Sequence, residues 1–360
     1  MTNNNRLFLD IHVIQTVPPS NMNRDDTGSP KTAQYGGTRR ARVSSQAWKK
    51  AMRDYFNENG AQDNVGVRTL EVPQYIANEI TKLDPERSQE DALQMAEKAI
   101  NDANIKTQGG KTKALFFIGS EQAKALAREV LQGTEDKKIL QEILNNNPAV
   151  DIALFGRMVA DDPSLNEDAS AQVAHAISTH AVQTEFDFFT AIDDLQPEDN
   201  AGAGMLGTIE FNSSTMYRYA NVAVHELYRQ LGDKDQTLNA LKLFIEAFAN
   251  SMPTGKSNTF ANQTLPQAIL VTVRSDRPVN LVSAFEEPVK SSDGYVQKSI
   301  EKLFQELKSV EKFVREPVLT LYVTGHDVPD RNAWKAEDGL TALLDSFYHE
   351  MDGLLPEKAE

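Results

Sequence analysis

The sequence contains no cysteine. Disulfides, thiolate nucleophiles, Cys-ligated zinc and iron–sulfur clusters are thereby excluded. The absence also fits a reducing, cytoplasmic compartment. No apolar run approaches the roughly 18 residues that a membrane-spanning helix requires. The opening segment MTNNNRLFLDIHVIQTVPP has its apolar run broken by Asp10 and His12 and carries no signal-peptide core. A cytoplasmic protein without a membrane partner is expected. Three catalytic signatures are missing as well: the phosphate-cradling Gly-x-x-x-x-Gly-Lys-Ser/Thr loop, the Gly-x-Ser-x-Gly elbow and His-Glu-x-x-His. The Gly-x-Gly at Gly202–Gly204 follows no strand pattern, so no nucleotide cofactor is expected. His175 and His180 do not stand at the one-turn spacing of a helical metal site, and they read as core or hydrogen-bonding histidines.

What is present is an ordinary globular composition. The chain has 360 residues, 40% of them hydrophobic and 25% charged. That is enough for roughly two domains, or for one domain with large insertions. The net charge is −15, which by itself argues against nonspecific nucleic-acid binding, because phosphate contacts need Lys and Arg. The charge is unevenly placed, however. From Thr27 to Arg53 there is no Asp or Glu, yet the window holds Lys31, Arg39, Arg40, Arg42, Lys49, Lys50 and Arg53. An acidic body with one basic stretch suits a polyanion met on one side. The plainer reading is a solvated basic helix face.

The window has further structure. Gly36-Gly37 ahead of the arginines permits close backbone approach, and guanidinium forks suit phosphate. Ser44 and Ser45 are candidate caps for a helix over 45–58, which places Gln46, Lys49, Lys50 and Arg53 at offsets of three and four. Such a helix start is a plausible phosphate site. Trp48 and Met52 are expected in the core.

Alternation predicts a strand over 6–16, followed by a loop from Pro18 to about Gly37. Residues 65–146 read as a helical insertion with helices near 70–83, 88–103, 112–132 and 135–145. Val150–Met158 (VDIALFGRM) reads as a buried strand. Residues 182–215 read as a long hairpin or arm, with Phe186, Phe188 and Phe189 ahead of a Pro- and Gly-rich tip. Strands at 216–224, 267–274 and 317–324 and helices near 235–250, 296–314 and 331–352 complete the chain. Stripped of insertions, the order is β-α-β-β-α-β, an α+β ferredoxin-like sheet of the kind used by RRM domains.

Several segments, taken together and in order, closely resemble the CasC family, the backbone subunit of the type I-E CRISPR surveillance complex, Cascade. They are Asn23-Arg24-Asp25-Asp26, Tyr35–Gln46, Val150–Met158, Ala174–His180, Asp187–Gln196 and Tyr217–Asn221. The resemblance implies an RRM-like palm, a helical fingers insertion and a β-hairpin thumb. On that reading 1–60 is the first part of the palm, 61–148 the fingers, 149–181 a palm strand and connection, 182–215 the thumb, and 216–360 the rest of the palm with C-terminal helices. It implies copies that polymerise along a CRISPR RNA as a filament and grip its backbone. A thumb kinks the RNA at regular steps, and the guide pairs with target DNA in antiviral defence. The implied partners are the RNA, other copies, the large and small subunits and two subunits capping the RNA ends.

Carried over by position, the resemblance assigns Ser44, Gln46, Lys49, Lys50 and Arg53 to the RNA-backbone grip, and Arg24, Arg39, Arg40 and Arg42 to further phosphate contacts. Met158, Phe188, Phe189, Thr190 and Leu206 fall at the kink. Phe188 stands where some relatives carry Trp. A guide must be held without sequence preference, so contacts belong on phosphate and sugar, with apolar wedges at the kink. No catalytic residue, cofactor or metal is expected, and the chain is expected not to be an enzyme. Two other readings stand beside this one. Asp25 or Asp26 would serve a metal-assisted RNA-cleaving backbone subunit. Alternatively, the basic face meets the acidic surface of a neighbour in a protein-only scaffold.

Overall fold

A computed structural model describes residues 6–60, 65–191, 205–330 and 334–358. The central strand, β1 (Phe8–Ser20), pairs antiparallel with β11 (Met205–Ala223) on one side and β12 (Pro266–Arg274) on the other. Both faces of β1 are covered, so it is buried along nearly its whole length, the polar Asp10, His12 and Gln15 included. Leu9, Ile11, Val13 and Val17 enter the larger core cluster, whereas Ile14 enters a second one on the opposite face. The pairing slips near Pro18-Pro19, where Val17 faces Ser214 and Ser20 faces Asn212.

On one face of the sheet lie α1 (Ser45–Asn59), α8 (Lys234–Asn250) and α11 (Leu340–Leu354), with α7 (Val224–Leu231) beside α8. The other face is closed by α10 (Val296–Ser309) and the 281–285 turn. Across the sheet β12, β1 and β11 lie side by side, with α1 following β1 and α8 following β11 in the chain. The strand that follows α1 is not where the sequence suggested. Val150–Phe155 is the short helix α6, and the pairing strands are β8 (Ala171–Val173) and β9 (Ala176–Ser178). A short buried apolar run fits either state. Here the acid in the first turn, Asp151, and Gly156 at φ 78° after the last make it a helix.

The loop expected up to Gly37 contains a hairpin, β2 (Thr32–Tyr35) with β3 (Thr38–Val43). Gly36 and Gly37 both have positive φ, 56° and 73°, the requirement of a tight two-residue hairpin turn. At Gly36 a β-carbon would also lie 1.6 Å from the Glu286 carbonyl oxygen.

The helical insertion has a hydrophobic cluster of its own. It is built from α2 (Val72–Leu83), α3 (Gln89–Asp102), α4 (Ser120–Leu131) and α5 (Lys137–Asn145). The helix expected from 112 starts only at Ser120. Phe116–Gly119 is instead the strand β7, paired with β4 (Gly66–Thr69), and β5 (Thr107–Gln108) pairs β6 (Lys111–Thr112). Arg157 ties this block to the segment after α6. Its guanidinium is buried and donates to the carbonyls of Phe117, Leu144 and Leu165.

The expected arm is formed by β10 (Glu185–Ala191) against the start of β11, from Glu185 opposite Phe211 to Ala191 opposite Met205. Its tip, including Pro197–Gly204, lies outside the described residues. The strands expected at 208–211 and 216–224 are one continuous strand, β11. A short helix, α9 (Ser257–Phe260), precedes β12, and β13 (Leu319–Thr324) with β14 (Lys335–Ala336) forms one edge of the sheet. The last helix begins at Leu340, later than expected.

Candidate nucleic-acid interface

The site is organised by α1. Ser44 caps it: its side chain accepts from the Ala47 N–H at 3.4 Å, and its own N–H donates to Asn23 Oδ1 at 2.8 Å. Trp48 and Met52 are buried and fix the inner face. Beneath Trp48 lies the guanidinium of Arg218, 3.6 Å from the ring centroid, donating to Gln15 Oε1 and the Phe248 carbonyl. Burial pulls the Arg218 pKa down to about 9. With the inner face anchored, Gln46, Lys49, Lys50 and Arg53 are turned outward at helical spacing.

These four side chains line one open groove of about 580 Å³. Met158, 84% exposed, lines it too, together with Arg68, Leu115, Phe117 and Phe155. Thus α1 and the Arg–Met loop, distant in sequence, share one surface. Lys49 holds its ammonium 5.6 Å over the Phe155 ring, and partial burial lowers its pKa. Arg53 lies 4.3 Å over the Phe117 ring and donates to Asp151 Oδ2 at 3.2 Å. Asp151 is fully buried and also accepts the Gly66 N–H at 2.8 Å. Burial raises its pKa, while Gly66 and Arg53 oppose the rise. Lys50 pairs with Asp54 at 2.5 Å, on the surface, where such a pair holds weakly.

The remaining arginines divide. Arg24 and Arg39 are exposed. Arg42 is half-buried, with Nε on the Thr32 carbonyl at 3.2 Å and Nη1 3.0 Å from His175 Nδ1. Arg40, expected on phosphate, is completely buried and is corrected to a structural role. It donates to the carbonyls of Tyr35, Ser178, Phe285 and Glu286. Its neighbour on the strand points the other way, as alternation requires. Among the described residues Arg24, Lys31, Arg39, Arg42, Lys49 and Arg68 make no ion pair. Arg68, on β4, was not singled out in the sequence, where a lone Arg in a strand carries no signal.

On the hairpin, Phe186 and Phe188 are each 66% exposed and Phe189 37%. Thr190 is exposed and its backbone pairs with Leu206, whose side chain lies outside the described residues. Phe189 stands opposite Gly207 and lays its ring across it, where a β-carbon would come within 2.3 Å. Among the described residues nothing buries Phe186 or Phe188, and exposed apolar groups of this size mark contact surfaces.

The sheet face beneath α10 is closed. His12 stacks between Tyr217 and Tyr219 and accepts or donates with the Tyr217 hydroxyl at 2.9 Å. Tyr219 donates to Asp10 at 2.7 Å. Burial lifts the Asp10 carboxyl to about 7 and drops His12 to about 3.

The other candidates fall as follows. His180 is buried and stacks on Tyr295 at 3.7 Å, with Nε2 accepting the Thr215 N–H. His175 is exposed. Asp25 Oδ1 accepts from the Thr27 hydroxyl and from the Thr27 and Ser29 N–H groups, bonds that hold its pKa down and shape the loop. Asp26 is exposed. Among the described residues no group of three or more His, Asp and Glu is arranged to hold a metal ion.

Fold and groove together describe an α+β protein whose groove carries Lys49, Lys50, Arg53 and Arg68, with Glu167 and Asp168 also in its lining. The chain belongs to the CT1975-like protein family, a Cas family, whose model it matches over residues 9–346. It is similar to a chain of a solved CRISPR RNA-guided surveillance complex described as pre-nicking. That match has 30% identity and a TM-score of 0.83, covering 95% of this chain and 99% of that one. A chain of a second CRISPR RNA-guided surveillance complex is also 30% identical, with a TM-score of 0.65 and coverage of 96% and 99%. No curated protein sequence matches the chain.

Proposed function

We propose that this chain is a non-catalytic, guide-RNA-gripping backbone subunit of a CRISPR RNA-guided surveillance complex of type I-E. The observation that carries the reading is the groove beside α1. It brings Gln46, Lys49, Lys50 and Arg53 together with the exposed Met158. Contacts of this kind hold phosphate and leave base edges free, as a guide of arbitrary sequence demands. The similarity to chains of RNA-guided surveillance complexes supports the reading.

On it, the sheet with α1 and α8 is an RRM-like palm whose usual base-reading face is closed, so the RNA runs along the helical side. The insertion holding α2–α5 is the fingers and the β10–β11 hairpin the thumb. Copies repeat along the RNA in the cytoplasm, Phe188, Phe189 and Met158 wedge at kinks, and the exposed spacer pairs with target DNA. Large, small and RNA-end-capping subunits complete the complex.

The test is RNA retention. Co-expressed with its CRISPR RNA, the chain should purify with RNA of discrete length. Lys49→Glu/Lys50→Glu should lose it, with affinity down about 100-fold at moderate salt and a shallower salt dependence. An RNA-free wild-type protein would sink the reading. The turn role of Asp25 supports the absence of chemistry. RNA cleavage in Mg²⁺ that Asp26→Ala abolishes would establish the enzymatic alternative instead. Assembly broken by the lysine swaps in the absence of RNA would establish the scaffold.

A further inference from the structure

A narrow crevice lies at the root of the hairpin. Its lining mixes apolar residues, among them Val17, Met22, Val43 and Met216, with Lys31, Arg42 and, from β11, Asn212 and Ser214. Asn212 and Ser214 are each only 6% exposed. The Asn212 Nδ2 and the Ser214 hydroxyl have no hydrogen-bond partner among the described residues. Buried donors are nearly always satisfied, so two orphans lining one crevice mark a place for an acceptor. The volume of about 10 Å³ admits about one oxygen atom.

Lys31 and Arg42 give the crevice its positive charge, and His175, outside the lining, stands against Arg42. Arg42 Nη1 lies 3.0 Å from His175 Nδ1. A guanidinium only donates, so Nδ1 is the acceptor and the neutral ring keeps its proton on Nε2. Burial, then Arg42 on β3, then Lys31 ahead of β2 hold the imidazole below its ordinary value. Neither cation has a carboxylate partner among the described residues.

We propose that this crevice and its mouth bind a phosphodiester of single-stranded RNA. One oxygen takes the Asn212 and Ser214 donors, and Lys31, Arg42 and a protonated His175 hold the charge. The proposal rests on the RNA-binding reading above. With both ring nitrogens protonated, Nδ1–H and the Arg42 N–H repel at 3.0 Å; once the two side chains part, an anionic oxygen between them accepts from both. The anion cancels the cationic field on His175 and raises its proton affinity. Binding therefore takes up a proton from solvent, and affinity rises as pH falls.

The experiment measures binding of a single-stranded oligoribonucleotide to the full chain at fixed ionic strength from pH 8 to 5.5, with a thermal melt for each variant. Wild type should bind about tenfold more tightly at the acid end for each unit by which the anion raises the His175 pKa. His175→Gln should flatten that profile, and His175→Asn should do the same. Asn212→Ala should weaken binding severalfold at every pH and keep the slope. A flat wild-type profile, or one that survives His175→Gln, overturns the proposal. So does Asn212→Ala binding as tightly as wild type, which would mean that water alone fills the crevice. Lys49→Glu/Lys50→Glu is the reference. If it still binds RNA, the gripping reading itself fails. If it loses RNA while His175→Gln tracks wild type, only this site fails.

Discussion

On the sheet face beneath α10, polar groups answer one another. Tyr219 donates to Asp10, and the Tyr217 hydroxyl meets His12 and donates to Asn280. In the groove beside α1 and on the β2–β3 hairpin, Lys49, Arg68 and Arg39 meet no carboxylate among the described residues, and Met158 is open to solvent. Both regions are rich in groups that bind nucleic acid elsewhere. What separates them is satisfaction: the first set has its partners inside the chain and the second does not. Arg39 and Arg40 repeat the contrast within one strand, one exposed and one with four carbonyls.

The contrast can be broken by substitution. Arg40→Ala leaves several buried carbonyls without a donor and should cost about 3 kcal/mol in chemical denaturation. Arg39→Ala should leave stability unchanged and weaken RNA binding about threefold. Equal stabilities for the two variants would erase the distinction. A smaller effect is expected from Asp10. Its pKa is raised from 3.8 to about 7 when folded, so the folded state binds the extra proton. The stability from that proton is fully present below about 3.8 and is lost as pH rises through about 7. Between pH 5 and pH 8 wild type should lose on the order of 2 kcal/mol that Asp10→Asn does not. A parallel pH dependence in both proteins would show that the buried carboxylate stays charged. The smallest change in stability belongs to Met158→Ala with Phe189→Ala. Both side chains are exposed, so the melting temperature should hold within a couple of degrees while RNA binding falls about tenfold. A collapse of stability would place them in the core.

The parts of this design that were legible in the sequence are local ones. The Ser44 cap, the outward set Gln46, Lys49, Lys50 and Arg53, and the inward pair Trp48 and Met52 all follow from spacing within one helix. The central strand β1 followed from alternation. The misreadings have long-range causes. Phe116–Gly119 is a strand because β4, far back in the chain, pairs with it. Val150–Phe155 is a helix although its apolar run is as short as a strand. Arg40 is structural because Ser178 and Phe285 bring carbonyls to it. Gly36-Gly37 allows close backbone approach and, between two extended runs, is also a hairpin signal.

One strand joins the exposed hairpin to the middle of the sheet. From Met205 to Ala223, β11 runs from the aromatic arm through to α7, and beyond the arm it is laddered against β1 from Asn212 to Ala223. The ladder bonds lie perpendicular to the strands. A pull on the arm along the axis of β11 therefore loads them in shear, where they resist together instead of opening one at a time. The hairpin is thus anchored like a tendon in bone: its aromatic end works outside the core, and the load is distributed along the buried pair of β1 and β11.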